Sequence, residues 1–278
     1  MRSKDYSHVI DYLAIGHITR DLAADGYTIG GTVAYSGRTA RALGCRTAVL
    51  TSAGPEFDVQ KALPDVAVEL VPAAETTTFE NVYLPSGRRQ VVHGVAAPLT
   101  PTVVPPAWQQ ASIVHLGPVA GEVDPALIDS FSTALIGITP QGWLREWDEA
   151  GHVMPCAWPR AQQILPRAAA VVLSTEDLPD AATLQQFRRW SRLLVLTEGV
   201  NGCTVFLAGE QRHFPAPDVV EVDPTGAGDI FAAAFFVRLY QTKGNPWEAA
   251  RFANEIAARS VEQPDLTAKI MTVEAVAE

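Results

Sequence analysis

Short runs of consecutive apolar residues recur along the chain, separated by longer stretches in which apolar and polar positions mix at helical spacing. The runs cover residues 12–15, 47–51, 113–116, 135–138, 170–173 and 193–196. Each is too short for a typical helix and suits a strand buried on both faces. Helical patterns lie between several of them, at 34–43 closed by Gly44, and at 125–135, 158–165 and 181–189. This alternation predicts repeated βαβ units, hence an α/β fold with a mostly parallel sheet between two layers of helices.

One stretch breaks the alternation. Residues 76–96 are rich in β-branched and aromatic side chains around a Pro85-Ser86-Gly87 turn, which predicts a hairpin inside an α/β chain. It is either a surface decoration or a flap over a pocket, the second being a common use of such an insertion. The proline-rich stretch 98–106 leads back to the main body. There is no internal repeat and no separating linker, so the 278 residues are expected to form one α/β domain with a small β lid.

Composition adds limits. The chain is 47% hydrophobic and 19% charged, which excludes collagen-like, coiled-coil and disordered classes. A formal net charge of −10 argues against a nucleic-acid-coating or anionic-membrane role. It leaves room for an anionic ligand, because backbone N–H groups alone can build a phosphate site. Cys45, Cys156 and Cys203 form no CxxC pair, so neither a zinc ribbon nor a disulfide framework is indicated. The first residues lead into an apolar run interrupted by Asp11, unlike a signal peptide or membrane span, and a cytoplasmic protein is expected.

The chemistry concentrates in residues 221–236. Gly226, Ala227 and Gly228 directly precede an Ala- and Phe-rich helical stretch, so unpaired N–H groups should converge at a helix N-terminus and form an anion hole. Asp229 opens that helix, placed to accept the proton of an attacking hydroxyl during in-line phosphoryl transfer. The plainer reading has Asp223-Pro224 making a turn and Asp229 complementing the helix dipole. No Gly is followed by Lys and then Ser or Thr, and position 231 is Phe, so neither the Walker pattern nor the dinucleotide fingerprint is present.

Asp223-Pro-Thr-Gly-Ala-Gly-Asp229 resembles the C-terminal signature of the PfkB, or ribokinase-like, family of carbohydrate and nucleoside kinases. Gly16-His-Ile-Thr-Arg-Asp21 is similar to its first-strand segment, and Gly30-Gly31 before a helix to its Gly-Gly substrate motif. The resemblance implies a Rossmann-like three-layer core with a β lid, contributed mainly by about 76–97 and by 22–32. It implies ATP and Mg2+ as donor and cofactor, Asp229 as catalytic base, Gly226, Ala227 and Gly228 as the anion hole, and Asp21, Gly30 and Gly31 at the substrate. Where the family places an Asn after Gly-Gly, this chain has Tyr35 or Ser36. The family's Asn-x-x-Glu motif appears as Ser174-Thr-Glu-Asp177, leaving Asp177 as the oxygen ligand toward Mg2+ or as an ordinary helix cap. Thr197, Gly199 and Gly202 resemble the nucleotide-side loop, or make a plain hairpin, and Asn254 either walls the adenine or is a helix-surface amide. Asp223 and Thr225 resemble positions that support a monovalent cation, which makes potassium a candidate cofactor.

Remaining features read as structural. The histidines 93, 115, 152 and 213 show no metal-binding spacing, Trp143 and Trp147 lie four apart as on a packed helix, and Arg145 reads as a solvated cation with phosphate contact as the alternative. The combined motifs are similar to the inositol-kinase-like branch, implying a sugar or cyclic polyol acceptor. A nucleoside acceptor, with Tyr27, Tyr35, Phe79 and Tyr83 available to a base, is the alternative, and a non-catalytic sugar or nucleotide sensor is the reading from another class. A homodimer is a further expectation from the resemblance.

Overall fold

Strands covered on both sides need apolar residues at successive positions, and in the central strand Tyr12 and Ala14 enter one core while Leu13 and Ile15 enter the other. The structure is a computed structural model and describes residues 9–23, 26–84 and 87–277. The N-terminal segment 1–8, the Pro85-Ser86 turn, the 24–25 part of the 22–32 segment and the Tyr83 side chain lie outside the described residues.

The main sheet has nine strands. From one edge they are β15 (Glu210–Phe214), β14 (Cys203–Leu207), β13 (Leu193–Thr197), β12 (Ala170–Ser174), β9 (Leu135–Ile138), β8 (Ile113–Leu116), β1 (Tyr12–Ile15), β4 (Thr47–Ala53) and β5 (Ala67–Pro72). All neighbouring pairs are parallel except β13 with β14 and β14 with β15. One face is covered by α1 (Thr32–Ala42), α2 (Val59–Ala62), α5 (Ala227–Gln241), α6 (Pro246–Ser260) and α7 (Leu266–Ala277). The other face is covered by α3 (Ala161–Ile164), α4 (Ala181–Trp190) and several 3-10 turns. The result is a three-layer α/β fold. Helix α5 is buried at every position from Ile230 to Val237, as an interior helix that is apolar all round must be.

A second sheet of four strands, in the order β3 (Gly26–Gly30), β2 (Thr19–Ala23), β6 (Thr78–Leu84) and β7 (Gly87–Gly94), stands apart from the first. It joins the 76–96 segment to residues immediately after β1 through the parallel pairing of β2 with β6. A two-stranded ribbon, β10 (Arg145–Trp147) with β11 (Val153–Pro155), completes the sheets found among the described residues.

Three local expectations are corrected. The 125–135 pattern is a 3-10 helix over Pro125–Ser130, because only Leu127 and Ile128 find core partners before the helix-poor Ser130 to Thr133. The 158–165 pattern shrinks to α3, since Pro159 and Pro166 lack the N–H groups a longer α-helix requires. Trp143 and Trp147 share no helix: a 3-10 turn at Gln141–Leu144 passes into β10, so Trp143 is buried and stacked on Trp158 while Trp147 is exposed. Among the described residues no helix is long and apolar enough to cross a membrane.

Candidate active site

Open α/β sheets bind ligands outside the carboxyl ends of their strands. At that edge the chain leaves β1 through Gly16 and His17, and β8 through Gly117. Glu122 ties these exits together: its buried carboxylate accepts from the N–H groups of His17, Val119 and Ala120 at 2.8, 3.0 and 2.7 Å. Deeper in, Tyr12 Oη, His115 and Thr139 form a buried chain at 2.8 and 2.9 Å, and burial holds the His115 imidazole neutral, with its pKa down at about 3.

The N-terminus of α5 opens onto this edge. Its first helical position follows Gly226, which is left-handed at φ 76° and brings no side-chain cap. Ala227, expected in the anion hole, instead spends its N–H on Pro224 O at 3.1 Å, which closes the turn and leaves Gly226 and Gly228 as the N–H groups available there. A side chain at Gly226 would collide with the Tyr35 ring as well as strain the backbone, which accounts for glycine there. Tyr35 is held on α1, whose own start requires Gly31 at φ 87°. Its buried phenol is pushed above its ordinary range by desolvation, with Asp21, Asp223 and Asp229 adding to the effect.

Asp229 sits in the first turn of α5. Burial pushes its carboxyl up to about 6; the Thr32 hydroxyl and the Arg145 charge pull the other way, and the charges of Asp177 and Asp21 push further. The structure therefore brings Asp229, Thr32, Arg145, Asp177 and Asp21 within one electrostatic neighbourhood. A carboxyl of this kind, close to neutral pH and at an uncapped helix N-terminus, can take a proton from a hydroxyl while the N–H groups face an anion.

Asp21 reaches the site from β2, where Thr19 Oγ1 donates to its Oδ1 at 3.0 Å. Gly30, opposite on β3, leaves room for that carboxylate, since a Cβ there would overlap Asp21 and Thr19. Asp177 comes from the end of β12, in a 3-10 turn where its Oδ2 accepts from Ser174 N–H at 3.1 Å and the Ser174 hydroxyl accepts from Glu176 N–H at 3.1 Å. Its Oδ1 accepts from Gln141 Nε2 at 2.8 Å and lies 3.8 Å from Arg145 Nη2. Arg145, read from the sequence as a solvated cation, is partly buried against Asp177.

The remaining candidates lie toward the antiparallel edge. Thr197 Oγ1 donates to Leu173 O at 3.4 Å, and Gly199 and Gly202, at φ 57° and 92°, turn the chain from β13 into β14. Asn254 is buried in α6 and donates from Nδ2 to Phe214 O at 2.9 Å.

Asp223 and Thr225 are organised by a residue the sequence reading did not consider. Lys269 of α7 is fully buried and donates to Asp223 O, Asp223 Oδ2 and Thr225 O at 2.6, 2.9 and 2.7 Å. Asp223 Oδ1 in turn accepts from Thr225 N–H at 3.0 Å. Burial alone would raise the Asp223 carboxyl, but Lys269 and Thr225 outweigh it and hold it below the ordinary carboxylate range. These oxygens do not fit a bound potassium ion, because the ammonium already stands among them. The signal for Lys269 was its place on the buried stripe of α7 with Leu266, Ile270 and Val273; Thr32 was signalled by following Gly30-Gly31.

Residues 167–272 match the family described as pfkB family carbohydrate kinase. The chain is 27% identical to a cytidine kinase of Thermococcus kodakarensis over 86% of its own length and 91% of the relative's. It is 29% identical to an inositol 3-kinase of Oryza sativa subsp. japonica, with 86% of this chain matched to 64% of that enzyme's length. The fold matches a pyrophosphate-dependent kinase in the ribokinase family, solved with a pyrophosphate analog and myo-inositol, with a TM-score of 0.79 at 23% identity, covering 91% of this chain and 96% of that one. Residues 167–272 thus carry a pfkB family domain, and the kinase relatives that align along most of the chain make it a phosphotransferase of the sugar, polyol and nucleoside kinase class.

Proposed function

We propose that the protein transfers the γ-phosphoryl group of ATP to a hydroxyl of a cyclic polyol or sugar. The observation that carries this is Asp229 at the uncapped start of α5, with its pKa near 6 and with Thr32, Arg145 and Asp21 around it. Asp21, Gly30, Gly31 and Tyr35 hold the acceptor beneath the four-stranded sheet, which acts as the lid. The acceptor oxygen bonds to the γ-phosphorus as the bond to the bridging oxygen breaks, ADP leaves, and the hydroxyl proton passes to Asp229. The N–H groups at Gly226 and Gly228 stabilise charge on the transferring oxygens, and the Arg145 guanidinium neutralises the phosphates from the side of β10.

Mg2+ is usually held through substrate phosphates and one or two carboxylates. Asp177, beside Arg145 and within electrostatic reach of Asp229, is the carboxylate that fits this role, and the ion would supply neutralisation of donor charge. The donor's base would lie by the loop holding Thr197, Gly199 and Gly202. That loop packs on the segment after Phe214, and the exposed Val200 and Val220 offer apolar surface there.

A nucleoside acceptor is the second reading, favoured by the cytidine kinase relative and by the exposed Tyr27, whose ring lies 5.9 Å from Phe57 and 4.5 Å from the Arg20 guanidinium. Phosphorylation of myo-inositol, ribose, fructose, cytidine and adenosine, each with ATP and with pyrophosphate, tests both. Turnover of a polyol or sugar with ATP is expected. Turnover of nucleosides alone would reject the polyol reading, and turnover with pyrophosphate alone would reject ATP as donor.

A further inference from the structure

We propose that the Lys269 ammonium is a built-in cation beneath the anion-hole loop, doing for this chain what a bound monovalent ion would do, so that phosphoryl transfer proceeds without potassium. The proposal rests on the kinase reading above and deepens it by assigning Lys269 as a positioning residue.

The geometry is that of a cation site filled from within. An unpaired ammonium would not be buried at a helix position with no exposed surface, because removing its charge from water costs far more than apolar packing returns. Lys269 meets that cost with three oxygens at 2.6–2.9 Å, matching its three N–H donors, and one of the three is the Asp223 carboxylate. Two of the oxygens are backbone carbonyls, of Asp223 and Thr225. Carbonyls pointed inward at one centre repel each other unless a positive charge stands between them.

The consequence for the site follows from the loop's other anchors. Val222 and Asp223 donate their N–H groups to Val261 O at 2.8 and 3.1 Å, and Ala227 N–H bonds Pro224 O at 3.1 Å. Lys269 pulls the carbonyls of residues 223 and 225 inward, which turns the N–H groups of Gly226 and Gly228 toward the phosphoryl position. A tethered ammonium carries the same single charge as potassium and cannot diffuse away. With its centre among those carbonyls, a second cation has neither space nor free oxygen there.

The test compares the wild-type protein and Lys269→Ala in potassium, ammonium and tetramethylammonium chloride at equal ionic strength, reading kcat, acceptor KM and melting temperature. Wild-type kcat and melting temperature are expected to be the same in potassium and tetramethylammonium. In Lys269→Ala, kcat should fall about 100-fold, the loss expected when a displacement of ~1 Å reaches the reacting groups, with acceptor KM little changed. Ammonium or potassium, small enough to enter the vacated space, should restore part of kcat and of melting temperature, whereas tetramethylammonium should restore neither. Potassium activation or thermal stabilisation of the wild type would overturn the proposal. So would a folded Lys269→Ala that no small cation rescues, since that is the behaviour of a purely structural lysine. If Lys269→Ala does not fold, the wild-type comparison decides alone. Absence of phosphorylation in every salt would instead reject the kinase reading, and the melting arm would still test the cation.

Discussion

The two sides of the strand-end region are built differently. Around α5, the candidate side chains lean on one another: Thr32 bonds Asp229, Tyr35 seats Gly226, and Lys269 gathers Asp223 and Thr225. Toward β13 to β15, they lean on the frame: Thr197 bonds Leu173 O, Asn254 bonds Phe214 O, and Asp177 closes its own turn. On the first side a change at Asp229 should strike chemistry with little effect on folding, whereas the fully buried Lys269 also holds the loop together. On the second it should strike stability as much as binding. Arg145 and Asp177 form the bridge between the two.

The largest effect is expected at the heart of the first side. Asp229→Asn should lower kcat by roughly 1,000-fold, within the range for removing a general base, while leaving the fold intact. For the wild type, kcat/KM should fall as pH drops below about 6, where the carboxyl takes up its proton. Stability should run the other way. The carboxyl is raised from its ordinary 3.8 to about 6, so its contribution is fullest below 3.8 and is lost as pH rises through 6. Asn cannot ionise, so the variant should melt above the wild type at pH 7, by no more than about 3 kcal/mol. Wild-type turnover in this variant, or a lower melting temperature, would dissolve the distinction between the two sides.

The bridge should give an intermediate result. Arg145→Gln removes a partly buried charge that faces both Asp177 and the region of Asp229. Donor KM is expected to rise and kcat to fall by about 100-fold in kcat/KM, the loss of roughly 3 kcal/mol that a charge-assisted contact to phosphate supplies. Acceptor KM should not move. A change confined to acceptor KM would transfer Arg145 to the other substrate and undo its bridging role.

What was legible in the sequence follows the same division. Strands 12–15, 113–116 and 135–138 were readable to the residue because burial on both faces keeps them apolar, His115 excepted, whose ring nitrogens find Tyr12 and Thr139 inside the core. The turn that opens α5 was readable because its residues, from Asp223 to Asp229, are consecutive. Lys269 and Arg145 were not, because their meaning comes from partners 46 and 32 residues away that only the packing of α7 and the path of β10 bring near. The family resemblance grouped 22–32 with 76–97, but the residue pattern alone does not show that β2 leaves the main sheet to pair with β6, a non-local choice made by backbone pairing. The shortened helices at 125–135 and 158–165 failed for local reasons, the helix-poor Ser130 to Thr133 in the first and the missing N–H groups of Pro159 and Pro166 in the second.

The smallest effect, and the sharpest test of the frame side, lies at Asn254. Its amide is buried and spends a donor on Phe214 O, at the end of the edge strand from which the 215–222 segment departs. Asn254→Ala leaves that carbonyl without this partner, a loss of about 1–3 kcal/mol for a buried group. A domain of this size should then melt roughly 2–8 °C lower, which calorimetry resolves. Because the amide reaches the nucleotide side through Phe214, donor KM should rise only a few-fold, with kcat and acceptor KM unchanged. A large rise in donor KM with no change in melting temperature would mean that Asn254 meets the nucleotide directly, and the two sides would then be built alike.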